Sequence, residues 1–301
     1  MNRLSAFFLA AALSANAVSA EEPHVDAVVR DVLAAAAKVK AASPDAVPMA
    51  FWDFDGTILK GDMSTGWLDV NHRGAEVYTG LFRACAEAGF SGVYTGSDGA
   101  GKFLYDDYPR LRGIGRWLAL PAMAQVFKGA DEVAMGAFCR RHAAAEFGPW
   151  VFASSRRILD DLSAAGVENY VISASPEIFV KAACPIAGIP SERGTGMKTA
   201  VAGGRITDRI LYPLPMNEGK VDVLREVLRI RPGAVAVAAF GNSYPSDGPF
   251  MRYVATSALP GGARGVAVMI NGGEAPAEFA GLFRCVEQTA TVGQAAAGKG
   301  R

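Results

Sequence analysis

Short apolar runs that end in polar residues alternate along the chain with stretches of helical periodicity. The runs with the length and composition of buried strands are Pro48–Phe54, Asn169–Ser173, Ala234–Phe240 and Gly265–Ile270. Apolar residues at helical spacing occur at Val25–Lys40, Ala75–Ala88, Val133–Ala145, Ser154–Ala165 and, after Asn217, at Val221, Leu224, Val227 and Leu228. This alternation predicts a parallel sheet with helices on both faces, which is a doubly wound α/β fold.

Residues that favour helix starts and turns mark several of the predicted boundaries. Ser154, Ser175 and Asn217 each precede a helical segment and are predicted to cap it. A Gly-Gly pair joins Thr195–Ala202 to Arg205–Leu211, which predicts a β-hairpin.

The amino-acid composition changes in residues 61–149. Aromatic and charged residues mix there with many glycines and with helical patterns, which indicates an inserted, mainly helical module. The α/β core then comprises residues 21–60 and 150–290 and is discontinuous in sequence. Residues 291–301 are rich in alanine and glycine and are predicted to form a flexible tail.

Residues 1–20 have the pattern of a secretory signal peptide. Arg3 provides a positive charge, Leu4–Leu13 is predominantly apolar, and Ala17–Ala20 offers small residues for cleavage. The pattern predicts cleavage near Ala20 and an exported protein, either periplasmic or secreted. The alternative is a buried N-terminal helix.

The net charge and the distribution of apolar residues indicate which kinds of partner the chain can bind. The 301-residue chain has 30 basic and 30 acidic residues, whereas binding to nucleic acid favours an excess of lysine and arginine. The sequence contains no apolar stretch of the roughly 18–20 residues that span a membrane. We therefore expect a partner other than nucleic acid and no stable membrane insertion, and the oligomeric state stays open.

The four cysteines are widely spaced and match no metal-binding motif. An exported chain meets an oxidising compartment, so an even number of cysteines permits disulfides. The division into module and core favours pairing Cys85 with Cys139 and Cys184 with Cys285. Buried free thiols are the alternative.

Two aspartates follow the first predicted strand, in the segment Asp53-Phe54-Asp55-Gly56-Thr57. Side chains alternate along a strand, so Asp53 and Asp55 are predicted to share a face. They fall at the carboxyl edge of a parallel sheet, where such folds bind ligands. Neighbouring carboxylates repel unless a cation or a shared proton intervenes, and a divalent metal ion is the simplest solution. The alternative is an ordinary Asp-Gly turn.

Three further segments carry polar residues at a strand end or a helix start. Ser173-Ala174-Ser175 combines a hydroxyl with the N–H groups of a helix start, which suits an anion. Lys220 lies in the first turn of its predicted helix, where a cation is unfavourable unless an anion compensates it. The segment Gly241–Asp247 (GNSYPSD) supplies oxygen ligands of the kind that Mg²⁺ prefers. Taken singly, these features are also explained by a helix cap, a solvated lysine and a turn.

In this order, the four segments resemble the signature of the haloacid dehalogenase superfamily of phosphohydrolases. That signature is an Asp-x-Asp-Gly-Thr loop, a hydrophobic strand that ends in Ser or Thr, a Lys, and a Gly-Asp loop with a second Asp. The corresponding segments here are DFDGT, VISAS, Lys220 and GNSYPSD. The family inserts a cap domain after the first loop, which corresponds to residues 61–149. The resemblance implies a Rossmann-like core with a helical cap.

The resemblance also implies a role for each matched residue. Asp53 is then the nucleophile that forms an aspartyl-phosphate, and Asp55 is the general acid and base. The implied phosphate-binding residues are Gly56, Thr57, Ser173, Ala174 and Lys220. The implied ligands of Mg²⁺ are Asp53, Asp55, Asn242 and Asp247. The expected substrate is a small-molecule phosphomonoester.

One matched position departs from the family pattern. Asn242 stands where the family usually has Asp, and an amide oxygen carries no charge, so weaker metal binding is expected. Asp247 is expected to compensate in part. A secreted phospho-ligand-binding protein without turnover is therefore one alternative, and a phosphotransferase with the same residues is another.

The motifs VISAS, SDGPFM and AQVFKG resemble the branch that contains phosphoserine and phosphorylcholine phosphatases. Aromatic faces and nearby acids suit a quaternary ammonium group, and the module offers Trp67, Tyr78, Tyr94, Tyr105, Tyr108 and Trp117 with Asp106 and Asp107. A carboxylate or a second phosphate is favoured instead by Arg110, Arg112 and Arg116. A third interpretation is that the aromatic residues form the core of the cap and the arginines are solvated.

Overall fold

A computed structural model describes residues 24–69 and 75–299, so the predicted signal peptide lies outside the described residues. The helices are α1 (24–42), α2 (Leu81–Glu87), α3 (Gly96–Lys102), α4 (Tyr108–Ile114), α5 (Arg116–Gln125), α6 (Glu132–Glu146), α7 (Ala153–Ala164), α8 (Glu177–Ala183), α9 (Glu218–Ile230), α10 (Tyr244–Thr256) and α11 (Val292–Lys299). The strands are β1 (Val47–Trp52), β2 (Trp67–Asp69), β3 (Ala75–Tyr78), β4 (Glu168–Pro176), β5 (Gly194–Met197), β6 (Thr199–Ala202), β7 (Arg205–Ile210), β8 (Ala234–Gly241), β9 (Val266–Ile270) and β10 (Arg284–Val286).

Within the described residues, six strands form a parallel sheet in the order β10-β9-β8-β1-β4-β5. The register of β1 and β8 pairs Val47 with Ala234 and Trp52 with Phe240. Two further sheets are antiparallel pairs, β2 with β3 and β6 with β7. The parallel sheet flanked by helices is the Rossmann-like α/β fold that the alternating pattern predicts.

The centre of the sheet explains why β1 is a continuous apolar run. Its side chains from Met49 to Trp52 are buried, as expected for a parallel strand that is covered on both faces. The Trp52 ring stacks on Phe240 with 3.7 Å between ring centroids. The buried indole Nε1–H of Trp52 donates a hydrogen bond to Asn169 Oδ1 at 2.8 Å. These contacts fix the end of β1, where the DFDGT segment begins.

Contacts between residues divide the chain into two compact units. The first comprises, of the described residues, those from 24 to Lys60, Gly148–Tyr170 and those from Leu224 to Lys299. The second comprises Gly61–Phe147 and Val171–Val223. The second unit thus combines most of the predicted module with residues 171–223, which belong to the predicted core. The predicted domain boundaries stay a prediction.

Most of the predicted elements of the core are confirmed within a few residues, but three predicted segments are wrong. Residues 75–78 form β3 rather than helix, because they pair with β2, and α2 begins only at Leu81. The first strand of the predicted hairpin is divided, because Gly194–Met197 pairs with β4 in the parallel sheet. The predicted tail contains α11, which follows the buried residue Thr291.

Two of the three predicted helix caps are wrong, and the third is confirmed in its position but not in its side-chain hydrogen bond. Phe152 occupies the cap position of α7, and Pro176 occupies that of α8. Asn217 directly precedes α9, and its carbonyl oxygen accepts the N–H of Lys220 at 3.1 Å. In the described part of the chain, however, its Oδ1 atom is buried without a hydrogen-bond partner. Tertiary contacts decide these positions, since the hydroxyl of Ser175 accepts a hydrogen bond from Ser64 at 2.9 Å.

All four cysteines of the chain lie in the described residues, and each is a free thiol, so neither predicted disulfide is present. The Sγ atoms of Cys85 and Cys139 lie 3.4 Å apart, which is hydrogen-bond distance and not a covalent bond. Cys184 is buried beside Gly194, whereas Cys285 is exposed with its Sγ atom 3.6 Å from the hydroxyl of Tyr244.

None of the helices in residues 24–69 and 75–299 is both long enough and apolar enough to cross a bilayer.

Candidate active site

The chain leaves β1 through a tightly closed loop. The N–H of Asp53 donates to the carbonyl oxygen of Phe240 at 2.9 Å, which extends the pairing of β1 with β8 by one residue. The carbonyl oxygen of Phe54 accepts the N–H of Leu59 at 3.0 Å, and the Phe54 ring is fully buried. The loop is therefore anchored on both sides, and this fixes the backbone that carries Asp53 and Asp55.

The carboxylate of Asp53 is buried and is held by its own loop. Asp53 is 7% exposed, and its Oδ2 atom accepts a hydrogen bond from the hydroxyl of the fully buried Thr57 at 3.2 Å. Asp55 is half-buried and follows the end of β1, so the turn sets its position rather than the alternation of a strand. The turn is closed by the Gly56 N–H, which donates to the carbonyl oxygen of Leu59 at 2.8 Å.

Gly56 allows the DFDGT loop to approach the GNSYPSD loop. Its φ of +75° lies in the left-handed region, which glycine adopts without strain. A Cβ atom at this position would overlap the side-chain amide of Asn242. The two loops, which are far apart in sequence, therefore meet within the first unit.

Asp247 is fully buried in the first turn of α10 and organises the second loop. Its Oδ2 atom accepts the N–H groups of Asn242 at 3.0 Å and of Ser243 at 2.9 Å. A carboxylate in the first turn of a helix also interacts favourably with the helix dipole. Gly241 leaves the space for this side chain, because a Cβ atom there would lie 2.9 Å from Asp247 Cγ.

The donors of the two loops fit a hard divalent cation. Asp53, Asp55 and Asp247 provide carboxylate or carbonyl oxygens, and Asn242 provides an amide oxygen, which are the ligand types that Mg²⁺ prefers. In residues 24–69 and 75–299, no group of three or more His, Cys, Asp or Glu side chains is arranged to hold a metal ion. A cation at these loops would therefore need carbonyl, amide or water oxygens besides carboxylates, which is usual for Mg²⁺.

Ser173 and Ser175 lie where β4 loses its regular pairing in the second unit. The register of β4 with β5 shifts between Ile172 and Pro176. Ser173 is 1% exposed, and its Oγ atom accepts the N–H of Ser175 at 3.2 Å. Ala174 between them is half-buried. The hydroxyl of Ser173 therefore serves a local turn, and Ser175 does not cap α8.

Lys220 is fully buried in the first turn of α9. Burial excludes the alternative of a solvated lysine, because a buried ammonium group is unfavourable unless polar or anionic groups surround it. Its backbone N–H donates to the carbonyl oxygen of Asn217 at 3.1 Å. The preceding residue, Gly219, lies so close to the carbonyl of Leu214 that a Cβ atom would overlap that oxygen.

The predicted site residues fall into two groups. The first unit brings together Asp53, Asp55, Gly56, Thr57, Asn242 and Asp247. The second unit contains Ser173, Ala174 and Lys220. The assignment of both groups to one site stays a prediction.

The aromatic residues of the predicted cap do not form a single group. Tyr78 and Tyr108 are buried, whereas Trp117 is 61% exposed. Tyr94 donates a hydrogen bond to Asp107 at 2.9 Å, and Asp106 is exposed. Tyr105 is largely exposed. The remaining member, Trp67, lies beside Tyr78 with 6.4 Å between ring centroids.

The arginines of the predicted cap differ in their surroundings. The side chain of Arg110 is 76% exposed and lies 3.9 Å from Asp107, as expected for a solvated surface residue. Arg112 lies over the ring of Tyr108 at 5.9 Å. Burial, followed by the charge of Asp62, raises the pKa of Tyr108, and the charges of Arg112 and Arg116 act in the opposite direction. These two arginines therefore belong to a cluster with Tyr108 and Asp62.

Sequence reasoning missed Asp62, the acidic member of this cluster. Its Oδ1 atom accepts the N–H groups of Ser64 and Thr65, each at 2.8 Å. Desolvation raises the pKa of Asp62, although the hydrogen bonds from Thr65 and Ser64 and the charge of Arg112 act in the opposite direction. An Asp directly after a glycine, with Ser and Thr two and three residues further on, has the pattern of an Asx turn and was the available signal.

Comparison with protein families gives one match that covers most of the chain. The model of the haloacid dehalogenase-like hydrolases matches residues 50–252. The matched range includes the DFDGT loop, Ser173, Lys220 and the GNSYPSD loop. No curated protein sequence matches the chain significantly.

Solved structures share the fold at low sequence identity. A protein of unknown function from Bordetella pertussis Tohama I superposes with a TM-score of 0.57 and 18% identity, over 80% of this chain and 98% of that chain. A conserved protein of unknown function from Anaerococcus prevotii DSM 20548 gives 0.54 and 13%, over 83% and 90%. Cytosolic 5'-nucleotidase IIIB bound to cytidine gives 0.51 and 16%, over 89% and 86%. Because the sequence identities are this low, the three comparisons show that the fold is shared and show nothing about activity.

Proposed function

The chain belongs to the haloacid dehalogenase-like hydrolases, and on this basis we propose that it is a Mg²⁺-dependent phosphatase of small phosphomonoesters. The observation that carries the proposal is the meeting of two loops in the first unit. Asp53 is buried on one loop, and Gly56 of the same loop packs against Asn242 of the other. Asp247 orders that second loop through two backbone hydrogen bonds.

In the first proposed step, a carboxylate oxygen of Asp53 bonds to phosphorus while the bond from phosphorus to the ester oxygen breaks. Asp55 transfers its proton to the departing oxygen, so that an alcohol leaves. The hydrogen bond from Thr57 to Asp53 Oδ2 supports this role, because it holds the carboxylate in one orientation. The product on the protein is an aspartyl-phosphate.

In the second proposed step, the carboxylate of Asp55 accepts a proton from water. The water oxygen bonds to phosphorus, and the bond between phosphorus and Asp53 breaks, which releases inorganic phosphate and restores the carboxylate of Asp53 and the protonated carboxyl group of Asp55. A carboxylate at position 55 favours this reaction over a dehalogenase, since both phosphatase steps need a proton carrier at that place.

We further propose that Gly56, Thr57, Ser173, Ala174 and Lys220 bind the phosphoryl oxygens. The burial of Lys220 supports this role, because a desolvated cation stabilises developing negative charge more strongly than a solvated one. Mg²⁺ held by Asp53, Asp55, Asn242 and Asp247 would supply further positive charge there.

The cluster of Asp62, Tyr108, Arg112 and Arg116 bears on the proposed substrate. The carboxyl group of Asp62 and the guanidinium group of Arg112 interact electrostatically within it, whereas a quaternary ammonium group is best bound by aromatic faces. We infer that a leaving group with both an ammonium and a carboxylate, as in phosphoserine, suits the chain better than phosphocholine.

The proposal is tested by measuring phosphate release with and without Mg²⁺. The panel contains phosphoserine, phosphocholine, p-nitrophenyl phosphate and, because of the nucleotidase of similar fold, cytidine monophosphate. We expect Mg²⁺-dependent release, with phosphoserine hydrolysed faster than phosphocholine. Binding of these esters without release would favour the alternative of a phospho-ligand-binding protein. Formation of a phosphorylated alcohol in added glycerol would favour a phosphotransferase.

The unusual amide at position 242 leads to a prediction about metal affinity. We expect Asn242→Asp to lower the Mg²⁺ concentration at half-saturation by about tenfold, because an added carboxylate strengthens an oxygen site. Asn242→Ala should raise that concentration. The shift of the thermal unfolding midpoint with Mg²⁺, measured without substrate, reports binding independently of activity. An unchanged or weaker Mg²⁺ response of Asn242→Asp would contradict the ligand assignment.

We also propose that the protein is exported to the periplasm or secreted, on the pattern of residues 1–20. Expression of the full chain and mass measurement of the exported product should give an N-terminus at Glu21. A product that retains Met1–Ala20 inside the cell would contradict export.

A further inference from the structure

Cys85 and Cys139 form a pair of thiols inside the second unit. Cys85 lies on α2 and Cys139 on α6, and both side chains are fully buried. Their Sγ atoms are 3.4 Å apart, at hydrogen-bond distance. We propose that these two residues are a redox-sensitive pair that closes to a disulfide between α2 and α6, whereas Cys184 and Cys285 stay thiols. This inference does not depend on the proposed function.

The geometry favours a bond over ordinary packing of two small side chains. A disulfide requires side chains that point at each other, with an S–S distance of about 2.05 Å. The two sulfur atoms already face each other across the helices, so the bond needs an approach of about 1.4 Å. The other cysteines have different neighbours, since Cys184 lies beside Gly194 and Cys285 lies beside the hydroxyl of Tyr244.

The environment of the pair determines when the bond can form. Burial, together with the hydrogen bond and the charge of Cys139, raises the pKa of Cys85 far above its ordinary value. Only the thiolate attacks a disulfide, so the folded pair exchanges slowly. The bond therefore forms during folding or transient opening of the chain, and burial then protects it from reductants.

The oxidant is a disulfide of the glutathione type, and the exchange balances in two steps. The thiolate of Cys85 attacks oxidised glutathione, which forms a mixed disulfide and releases one reduced glutathione. The thiolate of Cys139 then attacks the sulfur of Cys85 and releases the second reduced glutathione. The protein loses two hydrogen atoms, and one glutathione disulfide is reduced to two thiols.

The bond should stabilise the second unit. It closes a loop between residues 54 positions apart, and a loop of this size removes considerable entropy from the unfolded chain. The loop contains Tyr108, Arg112 and Arg116, three members of the charged cluster. We expect the thermal unfolding midpoint of the oxidised protein to exceed that of the reduced protein by about 5–10 °C.

The test uses the full chain with Cys184→Ala and Cys285→Ala, in which only the pair remains. The protein is unfolded, refolded in glutathione buffers from reducing to oxidising, quenched in acid and alkylated under denaturing conditions. Mass spectrometry should show two alkylated cysteines in reducing buffer. In oxidising buffer it should show none, together with a linked peptide that joins Cys85 to Cys139. Because the chain refolds in each buffer, both thiols are accessible to glutathione before they become buried. Failure to form the disulfide therefore cannot result from burial of the thiols.

Several results would overturn the proposal. Alkylation of both cysteines after refolding in the most oxidising buffer is one, and an oxidised form that unfolds at a lower temperature than the reduced form is another. The wild-type chain provides a further check if the double variant does not fold, because linked peptides identify their own partners. A dominant link that involves Cys184 or Cys285 in the wild-type chain would contradict the pairing, and Cys139→Ala should remove the expected link.

Discussion

Replacing Asp53 by asparagine should abolish phosphate release, with a fall in kcat of about 10⁴-fold or more. The amide oxygen of asparagine is a poor nucleophile and cannot form the aspartyl-phosphate of the proposed first step. The amide has nearly the shape of the carboxylate and can still accept the hydrogen bond from Thr57. The variant should therefore stay folded, with an unfolding midpoint close to that of the wild-type protein.

The control for this loss is Asp45→Asn, the same chemical change at an exposed position just before β1. It should retain wild-type activity, so that a general effect of losing one carboxylate is excluded. The measurement is single-turnover and steady-state phosphate release at saturating Mg²⁺ with the best substrate of the panel. Turnover of Asp53→Asn near the wild-type rate would refute the nucleophile assignment.

Asp55→Asn should lower kcat by about 10²–10⁴-fold, the usual contribution of a general acid or base. The loss should depend on the leaving group. An alkoxide such as that of phosphoserine requires a proton as it leaves, whereas nitrophenolate leaves without one. Hydrolysis of p-nitrophenyl phosphate should therefore begin with a burst of nitrophenolate, because the second step still lacks its base.

Comparison of the two substrates separates a proton-transfer role from a structural one. Asp55 is half-buried in a tight turn, and a variant that merely distorts the turn should impair both substrates equally. An equal loss for both substrates, without a burst, would therefore argue against the acid–base assignment. The effect of Asp55→Asn on the unfolding midpoint provides the matching measure of structural damage.

The fold class and the order of the candidate segments were predictable from sequence because they depend on local patterns. An apolar run such as 48–54 indicates a buried strand, and the helical spacing of 133–145 indicates a helix. Each pattern can be recognised without knowing which elements pack against it. The turns of the DFDGT and GNSYPSD segments likewise depend on residues within each segment. Gly56 adopts the positive φ of the first turn, and Asp247 accepts a backbone hydrogen bond in the second.

The errors arise where a distant segment competes with a local preference. Residues 75–78 have helical spacing but pair with β2, and Gly194–Met197 joins the parallel sheet rather than the hairpin. Ser175 has the properties of a cap but bonds instead to Ser64, which lies far away in sequence. A sequence window does not contain such partners, so propensity alone assigns these residues wrongly.

From the chain alone we could identify which side chains are able to carry phosphoryl chemistry, and in which order they occur. Only three-dimensional packing decided that Lys220 is fully buried rather than solvated, that Asp62 joins Tyr108 and Arg112, and that the sulfur atoms of Cys85 and Cys139 face each other without a bond. The reason is that residue type and spacing are local properties. Burial, desolvation and contact between distant residues are set by the whole folded chain.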